Sequence, residues 1–195
     1  MYADLGPSPK KHTWGAVLLS KFPIINSTHH LLPSPHGELA PAIHAVLDIW
    51  GVPTHVVVSH NGQFEDKLDR ELQTKAIARI LSDAYPHPAI FLGYVVTKPH
   101  APRPEPYDIL FSDGLIFDVD PDDRDRWCQY LGFRGLERVG YARVSRYTVT
   151  DTELQTFKLA VPDRLEPNRD VRPFRVSGRH FKPCLLYTSD AADEG

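Results

Sequence analysis

The chain has 195 residues, 42% of them hydrophobic and 24% charged. That suits one domain with a real core and excludes wholesale disorder, collagen-like repeats and coiled coils. A formal net charge of -3 provides no global positive field to draw nucleic acid or an anionic membrane, and two cysteines, Cys128 and Cys184, cannot build a disulfide framework or a Cys-rich zinc site.

Met1 to Lys11 lacks a positive segment followed by an apolar one, so it is no signal peptide, and no apolar run in the chain is long enough to span a bilayer. Gly6, Pro7 and Pro9 are loop chemistry, so the chain reads as an N-terminally truncated fragment. Gly15 to Ser20 is a continuous apolar run, the pattern of a strand buried on both faces. Prolines and a glycine between Leu32 and Gly37 predict a turn. Ile43, Ala45, Leu47 and Ile49 alternate with His44, Val46 and Asp48, which predicts a strand. After a turn at Gly51 to Pro53, Val56 to Ser59 completes a hairpin. Glu65 to Ala84 is the one strong helix, with Leu68, Leu72, Ala76, Ile77, Ile80 and Leu81 expected on its buried face. Ala89 to Val96 is a further buried strand, followed by a proline-rich loop to Pro106. Leu115 to Val119 is a short strand, and Trp127 to Phe133 with Val139 to Thr148 read as a pair about Arg134 and Gly135. Thr156 to Val161 closes the domain at about residue 165. Residues 166–183 form an arginine-rich extension, and 184–195, without periodicity, read as a non-native tail. Many strands and one strong helix argue for an α/β sandwich.

Three groups carry candidate chemistry. Ser59-His60-Asn61-Gly62 lies where a strand ends and the loop to the helix begins, the place where ligands collect in open α/β sheets. There an imidazole can bond a phosphoryl oxygen or act as acid or base; the alternative is a loop histidine beside a turn. The acidic run Asp118, Asp120, Asp122, Asp123 and Asp125 fails as a calcium loop, because Asp123 stands where Gly is needed and Gln129 where Glu is needed. It reads as a solvated acidic loop, although Arg126 between Asp125 and Trp127 is placed for phosphate recognition. His29, His30, His36 and His44 lack the helical spacing of zinc hydrolases, and most of them read as exposed loop residues. Glu38 reads as a charge at a strand entry.

The order of these pieces resembles the endonuclease/exonuclease/phosphatase superfamily: a strand ending in Leu19-Ser20-Lys21-Phe22-Pro23, another ending in Ser59-His60, then Asp69-Arg70-Glu71-Leu72-Gln73 in the helix. His12-Thr13-Trp14-Gly15, His30-Leu31-Leu32-Pro33-Ser34-Pro35, Gly37-Glu38-Leu39-Ala40-Pro41-Ala42-Ile43 and Asp125-Arg126-Trp127-Cys128 are similar to one branch, the C-terminal domain of the fungal calcofluor-white-hypersensitive family and its animal post-GPI-attachment relative. The resemblance implies a DNase-I-like four-layer sandwich of two mixed sheets flanked by helices. It also implies a longer protein of the endoplasmic reticulum membrane that exchanges the diacylglycerol of GPI anchors for ceramide, with this soluble domain meeting the membrane through an N-terminal transmembrane part.

Against the superfamily pattern, the usual Gly-Asp-x-Asn stands as Gly93-Tyr94-Val95-Val96, and the closing Ser-Asp-His as Thr150-Asp151-Thr152. The early metal ligands would lie upstream of Met1. The resemblance therefore favours recognition of a phosphoinositol or GPI headgroup by His60, Asn61, Asp125 and Arg126, with no nucleic acid partner. A Mg²⁺-dependent phosphodiesterase or phosphatase using His60 and Asp151 is the alternative, and a structural cap on a membrane domain is a third.

Overall fold

A computed structural model of the chain describes residues 1–8, 15–144 and 152–162. The strands are β1 (Tyr2–Leu5), β2 (Val17–Ser20), β3 (Ile24–Leu32), β4 (Ala40–Ile49), β5 (Val52–His60), β6 (Ala89–Tyr94), β7 (Phe117–Asp118), β8 (Gln129–Arg134), β9 (Glu137–Val144) and β10 (Leu154–Ala160). The helix α1 (Lys67–Asp83) joins β5 to β6, and a short helix α2 (Pro106–Asp108) continues into a π-turn at Ile109–Asp113.

Six strands form one sheet in the order β3-β4-β5-β6-β8-β7. It is mixed: β5 and β6 run parallel through α1, and every other pairing is antiparallel. The β4–β5 hairpin closes at Trp50 and Gly51, both at positive φ (53° and 85°), the geometry that matches the twist of the strands it joins. Asp48 Oδ1 accepts from Gly51 N–H at 2.6 Å.

Alternation divides the core between the faces of this sheet. Ala42, Val57 and Phe91 point toward α1, where they meet Ile77, Leu81 and Leu110. Ile43, Ala45, Leu47 and Val56 point the other way, against Ala16 and Leu18 beside the β1–β2 ribbon. A second ribbon, β9–β10, is tied in by Gln155 Nε2, which donates to Gln129 O at 2.9 Å.

Several expectations need correction. β2 is buried on one face only: Leu18 is enclosed, while Val17 and Leu19 are exposed, because the ribbon has a single layer to pack upon. β9 pairs with β10 rather than β8, since β8 already lies between β6 and β7. His29 and His30 belong to strand β3 and His44 to β4, so the histidines are cross-strand neighbours, not loop residues; His36 alone of the four lies in a loop. The buried face of α1 is polar in its first two turns (Asp69, Arg70, Gln73, Thr74), whereas Leu68 is exposed. The expected extension and tail, 166–195, lie outside the described residues.

Candidate functional site at the carboxyl ends of β5 and β6

β5 and β6 end side by side, with His60 in register with Tyr94. Residues 56, 58 and 60 alternate onto the face opposite α1, as do 90, 92 and 94. His60 therefore lies on that face, and its imidazole stacks on the Tyr94 ring with centroids 4.4 Å apart and planes 8° from parallel. Trp127 meets Tyr94 edge-on at 6.0 Å and is itself 39% exposed. The three rings form an aromatic shelf at the mouth of the sheet. Parallel strands put two carboxyl ends together at one edge, and that is the reason such an edge collects ligands.

The loop leaving β5 is held from below by polar groups of α1. Asn61 is fully buried; its N–H donates to Tyr94 O at 2.9 Å and its Nδ2 to Thr74 Oγ1 at 3.3 Å. Gly62 N–H donates to the buried Gln73 Oε1 at 2.7 Å. Ser34 Oγ bonds Asp69 and accepts from Gly37 N–H at 2.9 Å, which pins the β3–β4 turn to the same helix end. Asn61 Oδ1, Ser59 Oγ and Gln73 Nε2 are buried without a hydrogen-bond partner in the structure. Three adjacent orphaned groups beneath His60 form a polar floor of the kind that buried water or a bound ligand satisfies. Gln73 and Tyr94 join the site without being expected there from sequence; for Gln73 the available signal was the mostly polar run Asp69-Arg70-Glu71-Leu72-Gln73 on an otherwise amphipathic helix.

The acidic run is not a solvated loop. Asp118, Asp120 and Asp123 are buried and organised by arginines, while Asp122 and Asp125 are exposed. Arg126 is buried with its guanidinium on both oxygens of Asp118 (2.8 and 2.7 Å), on Asp120 O (2.6 Å) and on Asp123 O (3.1 Å). Its cationic centre also lies 4.8 Å from the Tyr130 ring centroid. Burial alone would lower the Arg126 pKa, but the Asp118 carboxylate outweighs it and the net shift is upward. Arg143 joins Asp123 at 3.0 Å and also bonds Glu153, fastening the β9–β10 ribbon to this loop. Asp125, with its side chain 90% exposed, stands 3.8 Å from Arg143 rather than beside Arg126. Sequence adjacency placed Asp125 with Arg126, whereas the loop turns the two side chains apart.

His60 and Asn61 thus share one edge, and Asp125 and Arg126 share the loop that carries Trp127. Asp151 lies outside the described residues, as do His12 to Trp14. Glu38 and His36 are exposed on the β3–β4 turn. The superfamily pattern implies Mg²⁺ here, and the described residues do not fit one: the two positions expected to carry Asp and Asn hold Tyr94, whose ring covers His60, and buried Val96. Among the described residues no group of three or more His, Cys, Asp or Glu is arranged to hold a metal ion.

The family profile described as "PGAP2IP, C-terminal nuclease-like domain" matches residues 1–180. Protein cwh43 of Schizosaccharomyces pombe is 57% identical over 186 residues, 95% of this chain and 19% of that protein. The chain therefore spans 19% of the length of this curated relative. Among solved structures, the Bacteroides thetaiotaomicron mannosyl-6-phosphatase Bt3783 superimposes with a TM-score of 0.57 at 14% identity, over 72% of this chain and 67% of that one. The human nocturnin catalytic domain does so with 0.54 at 16% identity, over 70% and 62%. At these low identities the likeness speaks for the fold alone, a DNase-I-like α/β sandwich.

Proposed function

Given that the chain belongs to the family of PGAP2IP C-terminal nuclease-like domains, we propose that it recognises the phosphoinositol headgroup of a GPI lipid for a longer membrane protein of the endoplasmic reticulum that exchanges diacylglycerol for ceramide. The observation that carries this reading is the His60–Tyr94 stack, 4.4 Å between centroids, at the carboxyl end of two parallel strands. A ring hydrogen of His60 can bond a phosphoryl oxygen, and the Tyr94 and Trp127 rings can cover the apolar face of an inositol. Asn61 holds the loop below, and exposed Asp125 can accept from a ring hydroxyl. Arg126 supports the site indirectly, by fixing the loop that presents Trp127 to Tyr94. No nucleic acid partner is proposed, and the membrane is reached through other parts of the longer protein.

Titration of the full chain with myo-inositol 1-phosphate tests this. His60→Ala should weaken binding at least about tenfold, the loss expected for a charge-assisted hydrogen bond, and Tyr94→Ala about tenfold through loss of the aromatic cover. Unchanged affinity in both would overturn it. Mg²⁺-dependent release of phosphate, abolished by His60→Ala, would replace it with the hydrolytic alternative.

A further inference from the structure

On the α1 side of the same edge, a groove of about 260 Å³ opens between the first turns of α1 and the loop that leads into α2. Its helix wall carries Lys67, Leu68, Arg70 and Glu71, and its loop wall carries Glu105 between Pro104 and Pro106. We propose that this groove binds a neutral cyclic polyol, a hexose or an inositol ring, as a second subsite of the headgroup. The proposal deepens the headgroup reading and rests on it for the identity of the polyol.

The walls point to this class by their balance. The charges of the groove are already paired, Arg70 with Glu105 across it and Glu71 with Lys75 along the helix, so a charged ligand would have to break into a pair to find its own partner. A ring bearing hydroxyls, each both donor and acceptor, can use all four. The prolines and Leu68 offer the flat apolar surfaces that the C–H faces of such a ring need.

A buried cation anchors the site. Arg70 is only 3% exposed, and its Nη1 donates to Val96 O at 2.7 Å and to Glu105 at 3.0 Å. Its Nε is buried and has no hydrogen-bond partner. Phe64 lies 5.5 Å from the guanidinium and caps it on another side. A buried guanidinium with an unmet N–H is costly unless something accepts from it. The bond to Val96 O also joins the groove to β6, two residues beyond Tyr94, so the subsite and the His60 shelf are parts of one edge.

The test is a resonance-by-resonance NMR titration of the full chain with myo-inositol, methyl α-mannoside, N-acetylglucosamine and inorganic phosphate as separate probes. At least one neutral polyol should shift the amides of Lys67 to Glu71 and of Glu105, and which polyol does so identifies the source. Glu71→Ala and Glu105→Ala should each weaken that binding about tenfold, since each removes a charged acceptor. Glu71 pairs with Lys75 and Glu105 with Arg70, so the Glu71 variant leaves the Arg70–Glu105 pair in place and separates loss of ligand from loss of that pair. No polyol shift in the groove, or shifts there with phosphate alone, would overturn the subsite. Failure of the headgroup reading has a different signature: His60 and Tyr94 silent to inositol phosphate while the groove still responds to a polyol.

Discussion

Arg126 and Asp118 form a two-pronged ion pair in the interior, with N–O distances of 2.8 and 2.7 Å and side chains 0% and 4% exposed. The pair closes the loop that presents Trp127, so its first role is to hold that loop. Removing one partner leaves an uncompensated buried charge, which costs about 3–5 kcal/mol. Arg126→Ala and Asp118→Ala should each lower unfolding free energy by that amount in urea titrations. Arg126→Lys should recover little of it, because an ammonium lacks the planar fork. Asp125→Asn should stay within about 0.5 kcal/mol of the parent, as expected of an exposed group. Equal costs for Asp125→Asn and Asp118→Ala would contradict this division of roles.

Gln73 carries the loop after His60 from below. Its Oε1 takes the Gly62 N–H at 2.7 Å from a buried position on α1. Gln73→Leu keeps the volume roughly and leaves that N–H unmet, a cost of about 1–3 kcal/mol. The same variant should weaken inositol phosphate binding more than Thr74→Val does, because Gln73 bonds the loop backbone directly whereas Thr74 reaches it through one 3.3 Å side-chain bond. Equal binding by both variants would remove Gln73 from the site.

How far the sequence reveals the molecule depends on where its signals are local. The β4–β5 hairpin, α1 and β6 are legible because their apolar periods are long and bounded by turn residues or prolines. Strand β3 escapes notice because it is an edge strand exposed along most of its length, so Asn26, Ser27 and Thr28 carry no apolar alternation. The helix at Pro106 hides in a proline-rich stretch, though Pro106 at its first position is a start signal. For the site, the strand-end position of His60 is legible from order alone. Its partner Tyr94 is not, because stacking across parallel strands is set by a register that forms only in the sheet. The Arg126–Asp118 pair spans eight residues of irregular loop, where no period predicts which carboxylate turns inward.

Gly93 makes room for the ring below it. A Cβ built there would lie 2.3 Å from Phe91 Cζ, and Phe91 is fully buried, so the ring cannot swing aside. Gly93→Ala should therefore cost about 1–3 kcal/mol, as overpacking usually does. It should also displace Tyr94, the next residue, from His60 and weaken ligand binding beyond the loss in stability. A variant as stable as the parent would show that β6 can shift without cost, and the shelf would then not depend on this backbone position.

The last prediction concerns four imidazoles. His30, His44, His55 and His87 stack in series across β3, β4, β5 and the entry to β6, with centroids 6.5, 5.1 and 5.6 Å apart. His44 Nε2 and His55 Nδ1 share a hydrogen bond at 2.8 Å. Burial, then the neighbouring His55 and His30 rings, push His44 down to about 4; burial first, then neighbouring charge, lowers His30 and His55 as well. Arg134 adds to the positive field at His55. The His30, His44 and His55 rings are thus neutral in the fold at a pH where the unfolded chain, at about 6.5, has begun to protonate. The unfolded state then binds more protons, so stability must rise with pH through this interval. The contribution is complete above about pH 6.5 and is lost as pH falls toward 4. Urea midpoints measured from pH 4.5 to 7.5 should climb and then level off above pH 6.5. His44→Phe keeps a flat ring but cannot protonate, so its profile should be flatter below pH 6.5 even if its plateau is lower from the lost bond to His55. If the parent and His44→Phe lose stability in parallel on acidification, the stack is not the source of the acid sensitivity.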